Sequence, residues 1–182
     1  MIKVIAGKYK NRNLLTPPSE KTLPTKARVR EAIFSAIKNE VKDSIVLDLF
    51  AGSGAFSIEA LSRGSKFCYL NDIDKECTSI IKKNLINLNE NNYLLLNYDY
   101  KKALEYIKEK DIKLDIIFLD PPYRLDIYKE CINFILDNNL LNKKGLFILE
   151  TNSQLQLNDI ENKFSDIRYY SYGYSKIYIL RT

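Results

Sequence analysis

The chain has 182 residues, 46% hydrophobic and 28% charged, a size and balance that suit one compact domain and leave little room for two. Its 28 Lys+Arg against 23 Asp+Glu give a net charge of +5, and it contains no histidine. Ser-His-Asp and Cys-His catalysis, HExxH zinc sites and His-containing zinc fingers are therefore excluded, and the chemistry must rest on carboxylates, backbone, Lys, Tyr or a cofactor.

The charge is uneven: residues 1–44 hold 10 Lys+Arg against 4 Asp+Glu, and residues 45–182 hold 18 against 19. The basic excess thus belongs to an N-terminal arm, part of the same domain, ahead of a slightly acidic body at 45–182. In the arm, Ile2 to Ile5 and Asn13 to Leu15 read as a short hairpin around Gly7-Lys8-Tyr9-Lys10-Asn11-Arg12, broken by Thr16-Pro17-Pro18-Ser19. Thr25 then caps a helix through Asn39, with Val29, Ile33, Phe34 and Ile37 on one face and Arg28 and Arg30 off it.

From residue 45 short apolar strands alternate with amphipathic helices, which predicts an α/β fold around a mostly parallel sheet. Strands are expected at Ile45–Leu49, Phe67–Asn71, Tyr93–Asn97, Leu114–Leu119 and Leu146–Glu150. Helices are expected at Ala55–Arg63, Lys75–Leu88, Lys101–Lys110 and Ile127–Asn138. Ile167–Tyr172 and Lys176–Leu180, split by Gly173-Tyr174-Ser175, read as an antiparallel hairpin closing the sheet. Cys68, Cys77 and Cys131 show no CxxC spacing and read as core fillers in a reducing compartment. No apolar run has signal-peptide or membrane-spanning length, so a cytoplasmic protein, monomeric by default and without a membrane partner, is expected.

Three constellations carry chemistry. Asp48-Leu49-Phe50-Ala51-Gly52-Ser53-Gly54 leaves the first core strand for a helix, and its glycines let backbone N–H groups approach a ligand. Ser57 breaks the GxGxxG dinucleotide fingerprint, and Asp48 suits a cationic ligand better than a pyrophosphate. After the next strand comes Asn71-Asp72-Ile73-Asp74, where a carboxylate accepts from the ribose hydroxyls of an adenosine cofactor; Asp72 is assigned that role and Asp74 a helix cap. Asp99 after the third strand either accepts from an adenine amino group or caps the following helix.

Most specific is Asp120-Pro121-Pro122-Tyr123 after the fourth strand. The prolines stiffen the loop, so the Asp120 carboxylate and the Pro121 carbonyl converge as acceptors for an exocyclic amine, whose lone pair is otherwise delocalised into its ring. Tyr123 offers a face for a flipped-out base.

In this order the motifs resemble the class I S-adenosylmethionine-dependent methyltransferases, Rossmann-like proteins, in the branch that methylates exocyclic amines of bases. Ile2-Lys3-Val4-Ile5-Ala6-Gly7-Lys8 with Arg12 and Leu14, Pro24-Thr25, Arg28 to Phe34, Phe50 to Gly54, Glu59 to Gly64 and Tyr172-Gly173 narrow the resemblance to the bacterial RsmD-type 16S ribosomal RNA guanine-N2 methyltransferases, over nearly the whole chain. The resemblance implies methyl transfer from S-adenosylmethionine, leaving S-adenosylhomocysteine, to guanine N2, at position 966 in the usual numbering of that RNA. It implies no metal, and as partner the 16S rRNA within a small subunit or an assembly intermediate. It places the methionine end near Asp48 and Phe50 to Gly54 (with Ala51 and Ser53), the ribose at Asp72 and Ile73, the adenine near Asp99 and the target amine at Asp120–Tyr123. The basic residues Lys8, Lys10, Arg12, Lys26, Arg28, Arg30 and Arg124 are assigned to RNA. Lys3 and Leu23 stand where the family usually has Arg, Asn11 where Gly is common, Ala27 where Asp is common and Asp72 where Glu is common. A DNA or RNA adenine-N6 or cytosine-N4 methyltransferase and a catalytically silent RNA-binding assembly factor are the rival readings.

Overall fold

The computed structural model describes residues 2–18, 24–121, 125–152, 154, 155, 157 and 160–182, without the side chains of 24–26, 125 and 126. A two-stranded antiparallel ribbon, β1 (Ile2–Lys3) and β2 (Asn13–Leu14), opens the chain. Then follow α1 (Pro24–Ala36), α2 (Lys38–Val41), β3 (Ile45–Asp48), α3 (Ala55–Ser62), β4 (Phe67–Asn71), α4 (Lys75–Asn87), β5 (Tyr93–Leu96), α5 (Tyr100–Glu109), β6 (Leu114–Leu119), α6 (Leu125–Asp137), β7 (Leu141–Thr151), β8 (Asp166–Tyr172) and β9 (Ser175–Arg181).

The main sheet has seven strands in the order β5-β4-β3-β6-β7-β9-β8, parallel from β5 to β7 and antiparallel at β9 and β8. Because β3 leads to β4 and β5 on one side and β6 returns on the other, the strand order reverses between β3 and β6. Open α/β sheets form a ligand crevice at the carboxyl ends of such a pair.

Strand alternation divides the core. Ile116 and Phe118 join Val29, Ile33, Phe34, Ile58 and Ile81 on one face of the sheet, while Ile117 and Leu119 join Leu104, Ile107, Ile132 and Ile135 on the other. The three cysteines are free and buried within these layers, and burial pushes the thiols of Cys68 and Cys131 up to about 12.

The N-terminal arm packs into the first layer through Ile2, Val4 and Leu14. Its backbone is fixed by polar groups from α3 and α4. Ile5 and Ala6 donate to the two oxygens of Glu59 at 2.8 and 3.0 Å, and Lys8 and Tyr9 donate to the carbonyl and hydroxyl oxygens of Ser62. Gly7 fits there because it has no side chain: a Cβ would stand 1.8 Å from the Ser62 carbonyl oxygen, and its φ is +82°. Asn11, where the family commonly has Gly, has φ +68°, a left-handed conformation that Asn tolerates.

Two predicted elements differ in the structure. The helix expected through Asn39 breaks at Ile37 (φ −111°, ψ 22°), where Arg181 reaches both the Ala36 carbonyl and the Glu40 carboxylate. The strand expected at Leu146–Glu150 begins at Leu141, since its pairing with β6 jumps from Leu114 opposite Leu141 to Ile116 opposite Leu146. Lys144, at φ +65°, carries this irregularity.

Candidate active site

The register of the sheet sets the site. Asp48 lies opposite Leu70 of β4 and Phe118 of β6, so Asp72 and Asp120, two residues further on, come level with Phe50 on either side of it. Two strand spacings separate the flanking positions, about 10 Å.

The glycine loop is left-handed at Gly52 (φ +53°) and Gly54 (φ +78°), and a Cβ on Gly54 would meet Ile81 at 3.2 Å. Gly54 N donates to the Ala51 carbonyl at 2.7 Å, and Ala51 N to the Asn71 carbonyl at 2.9 Å. Asp48 is buried beneath the loop and accepts from Ser57 Oγ at 3.0 Å. Ser53 is buried as well, and its carbonyl accepts from Asn84, which also holds Leu15 of the arm. Phe50 is half-buried against Tyr100, with ring centroids 5.8 Å apart.

Asp72 faces the loop from β4. Its carboxylate accepts from Gly52 N at 2.8 Å and from Asp74 N at 2.9 Å. Burial raises its pKa above the ordinary Asp value, against the lowering effect of those two N–H groups. The group is half-buried, and a carboxylate has about four acceptor positions, so it suits ribose hydroxyl donors beside the two bonds it already makes. Ile73, next to it, is 68% exposed. Asp74 caps α4 by accepting from Glu76 N at 2.8 Å, as predicted. Of the two alternatives for Asp99, the structure shows the cap: it accepts from Lys101 N at 2.9 Å.

Asp120 is exposed at the end of β6, and Pro121 behind it is buried. Pro122, Tyr123 and Arg124 lie outside the described residues, as does the side chain of Lys26. Beneath Asp120 stands Tyr128 of α6, whose pKa is raised first by burial and then by the Asp120 charge; its hydroxyl donates to the Glu150 carbonyl. Among the described residues no cluster of three or more His, Cys, Asp or Glu is placed to hold a metal.

The predicted RNA residues that the structure describes differ in their surroundings. Arg30 is 3% exposed: it donates to the Lys3 carbonyl at 2.6 Å and lies 3.8 Å from Glu59, so it is a buried partner of that carboxylate and not a surface contact. Lys8 pairs with Glu90 at 2.7 Å, and Arg12 donates to the Asn87 carbonyl at the end of α4. Lys8 and Arg12 are therefore held against the C-terminal end of α4 and the loop that follows it. Arg28 is exposed in the first half of α1, two residues before the buried Arg30.

Several organising residues escaped the motif reading. Asn71, 1% exposed, donates to the Leu49 and Tyr98 carbonyls and accepts from Tyr98 N, tying together the loops after β3, β4 and β5. Glu59, Asn84 and Glu90 lock the arm in place. A carboxylate at Glu59 inside an otherwise apolar helix is the one sequence signal that pointed to this.

A sheet whose order reverses between β3 and β6, with a glycine loop and flanking carboxylates at that point and an antiparallel hairpin at the end, defines a class I methyltransferase fold. The solved Escherichia coli protein yhhF, described provisionally as a methyltransferase, shares it with a TM-score of 0.82 at 30% identity, over 99% of this chain and 97% of its own. The Thermus thermophilus 16S rRNA N2 G1207 methyltransferase RsmC, solved with AdoMet and guanosine, matches with a TM-score of 0.73 over 92% of this chain and 45% of its own; at 22% identity that likeness concerns the fold. The ribosomal RNA small subunit methyltransferase D of Escherichia coli K12 is 35% identical over 150 residues, 82% of this chain and 74% of its own length. The chain belongs to the family described as Conserved hypothetical protein 95, the RsmD family, whose model matches residues 2–181.

Proposed function

We propose that this protein transfers a methyl group from S-adenosylmethionine to the exocyclic N2 of a guanine in small-subunit ribosomal RNA, by resemblance the guanine at position 966. The observation that carries the reading is Asp120, exposed at the carboxyl end of β6, level with Asp72 across the glycine loop. Support for the RNA comes from the Escherichia coli relative, named for small-subunit ribosomal RNA.

When bound, S-adenosylmethionine supplies an electrophilic methyl group on a sulfonium. Asp72 holds the ribose, Ile73 covers one face of the adenine, and the glycine loop, whose Ala51, Gly52 and Gly54 N–H groups are engaged within the protein, receives the methionine end by its shape above the buried Asp48. Asp120 accepts one N–H of the target amine and the Pro121 carbonyl accepts the other, which draws the nitrogen toward a pyramidal geometry and frees its lone pair. As the new N–C bond forms and the S–C bond breaks, the nitrogen becomes acidic and Asp120 takes its proton. Arg28 and Lys10, with Lys26 and Arg124, contact the RNA phosphates.

The test is incubation with labelled cofactor and either small-subunit RNA or DNA, followed by nucleoside separation. Label in N2-methylguanine from RNA is expected. Label in N6-methyladenine or N4-methylcytosine, or binding without turnover, contradicts the proposal.

A further inference from the structure

The β8–β9 hairpin was read from sequence as a closing element, yet its tip stands on the same edge of the sheet as Asp120. Leu119 pairs with Leu149, Glu150 with Ile177, and Ile177 with Tyr170. Tyr170 is therefore level with Asp120, three strand spacings away, about 14 Å. Tyr172 lies two residues further out, and Gly173 (φ +60°) and Tyr174 make the two-residue turn beyond it.

These tyrosines form a row. Tyr170 and Tyr172 stack at 6.5 Å with 19° between their rings, on the face of the sheet that carries Ile116 and Phe118 and whose alternation leads to Asp120. Tyr174, at the tip, is 94% exposed. Burial does not account for an aromatic ring so displayed. The carboxylate of Glu150 accepts from Ser175 Oγ at 3.2 Å, and Lys176 adjoins the turn on β9.

A base delivered to Asp120 must leave its stack, and the strand on either side of it then carries unpaired bases across this edge. Single-stranded nucleic acid is held by aromatic rings on which successive bases stack, irrespective of sequence. We propose that the hairpin tip is such a platform, with Tyr174 stacking on an unpaired base beside the target and Tyr172 and Tyr170 extending the surface toward Asp120. This rests on the reading of an RNA substrate above.

The chain has no tryptophan, so Tyr174→Trp places a single fluorescent reporter at the tip. Its emission is expected to be quenched by an unpaired RNA fragment bearing the target guanine, and much less by the same fragment held in a duplex. Tyr174→Ala is expected to bind that fragment about tenfold more weakly, within the range seen when stacking rings are removed, with cofactor affinity and Tm unchanged. Tyr174→Phe, which keeps the ring, should restore most of the affinity. Wild-type affinity in Tyr174→Ala, or no quenching in Tyr174→Trp, overturns the platform. So does a loss confined to ribonucleoprotein particles, which assigns the tip to a protein neighbour. If the wild-type protein puts no methyl on guanine N2 yet the Trp reporter is quenched, the proposed reaction fails while the platform stands.

Discussion

The two edges of the sheet treat charge in opposite ways. At the amino edge, Glu59 and Glu90 are buried and surrounded by donors: Glu59 accepts from Ile5 N, Ala6 N and Arg63 and pairs with the Arg30 charge at 3.8 Å, and Glu90 takes Lys8, Tyr9 and two backbone N–H groups. At the carboxyl edge, Asp72 keeps a solvent-facing side and Asp120 is exposed. A saturated carboxylate holds structure together. One that still faces solvent is able to receive a ligand.

The largest expected effect lies at the open edge. Asp120→Ala should lower turnover by about 10²–10⁴-fold, the usual contribution of a positioned proton acceptor, with Tm and cofactor affinity retained. Isothermal titration beside a turnover assay separates the two quantities. Second is the closed edge: Glu59→Ala strands Arg30 in the core and should cost about 3–5 kcal/mol of stability, read by urea denaturation. An unfolding free energy within 1 kcal/mol of wild type would mean that the arm is held by other contacts.

Asp72→Asn should weaken cofactor binding about tenfold, as a charge-assisted hydrogen bond becomes a neutral one. The pKa of Asp72 is raised by burial, and ribose donors favour its ionised form. Cofactor affinity should therefore be full above that raised value and fall as pH drops through it, a dependence that Asp72→Asn abolishes. A smaller effect separates an open basic residue from an engaged one by RNA affinity: Arg28→Glu should weaken RNA binding several-fold and flatten its salt dependence more than Arg12→Glu does, since the Arg12 guanidinium is held by the Asn87 carbonyl. Equal effects would show that both residues meet the RNA alike.

The smallest effect concerns Glu90 and Lys8. Burial opposes the Glu90 charge, but Lys8, the Asn92 and Asn91 N–H groups and Tyr9 hold its pKa below the ordinary Glu value, while Glu90 and Tyr9 raise that of Lys8 against the opposing effect of burial. The lowered carboxylate contributes stability above the ordinary Glu pKa of about 4.3 that is lost as pH falls through its folded value. The raised ammonium contributes stability that is lost only as pH climbs past its own folded value, above about 10.4. Glu90→Gln should lower Tm by about 2–4 °C at neutral pH, with the difference vanishing in acid.

Much of this was legible from the chain because it depends on neighbours in sequence. Phe67–Asn71 and Leu114–Leu119 are the strands their apolar runs predicted, and Asp72 and Asp120 fall where those runs end. Asp74 caps α4 for an equally local reason. The misreadings depend on distant partners. Arg30 falls off the apolar stripe of its own helix, and only the fold brings it to Glu59. Lys8 and Arg12 read as a free basic arm until α4 supplies Asn87 and the loop after it supplies Glu90. Asn142-Lys143-Lys144-Gly145 has the composition of a turn, and it lies within β7 as the irregular stretch over which the pairing with β6 jumps from Leu141 to Leu146.

Methylation of guanine N2 in small-subunit RNA at the open carboxyl edge is tested by nuclease digestion and mass mapping of that RNA from a strain lacking the gene and from the same strain carrying the wild-type or Asp120→Ala gene. One N2-methylguanine is expected to disappear on deletion, to return with wild type and to stay absent with Asp120→Ala. An unchanged map on deletion, or full restoration by Asp120→Ala, would contradict it.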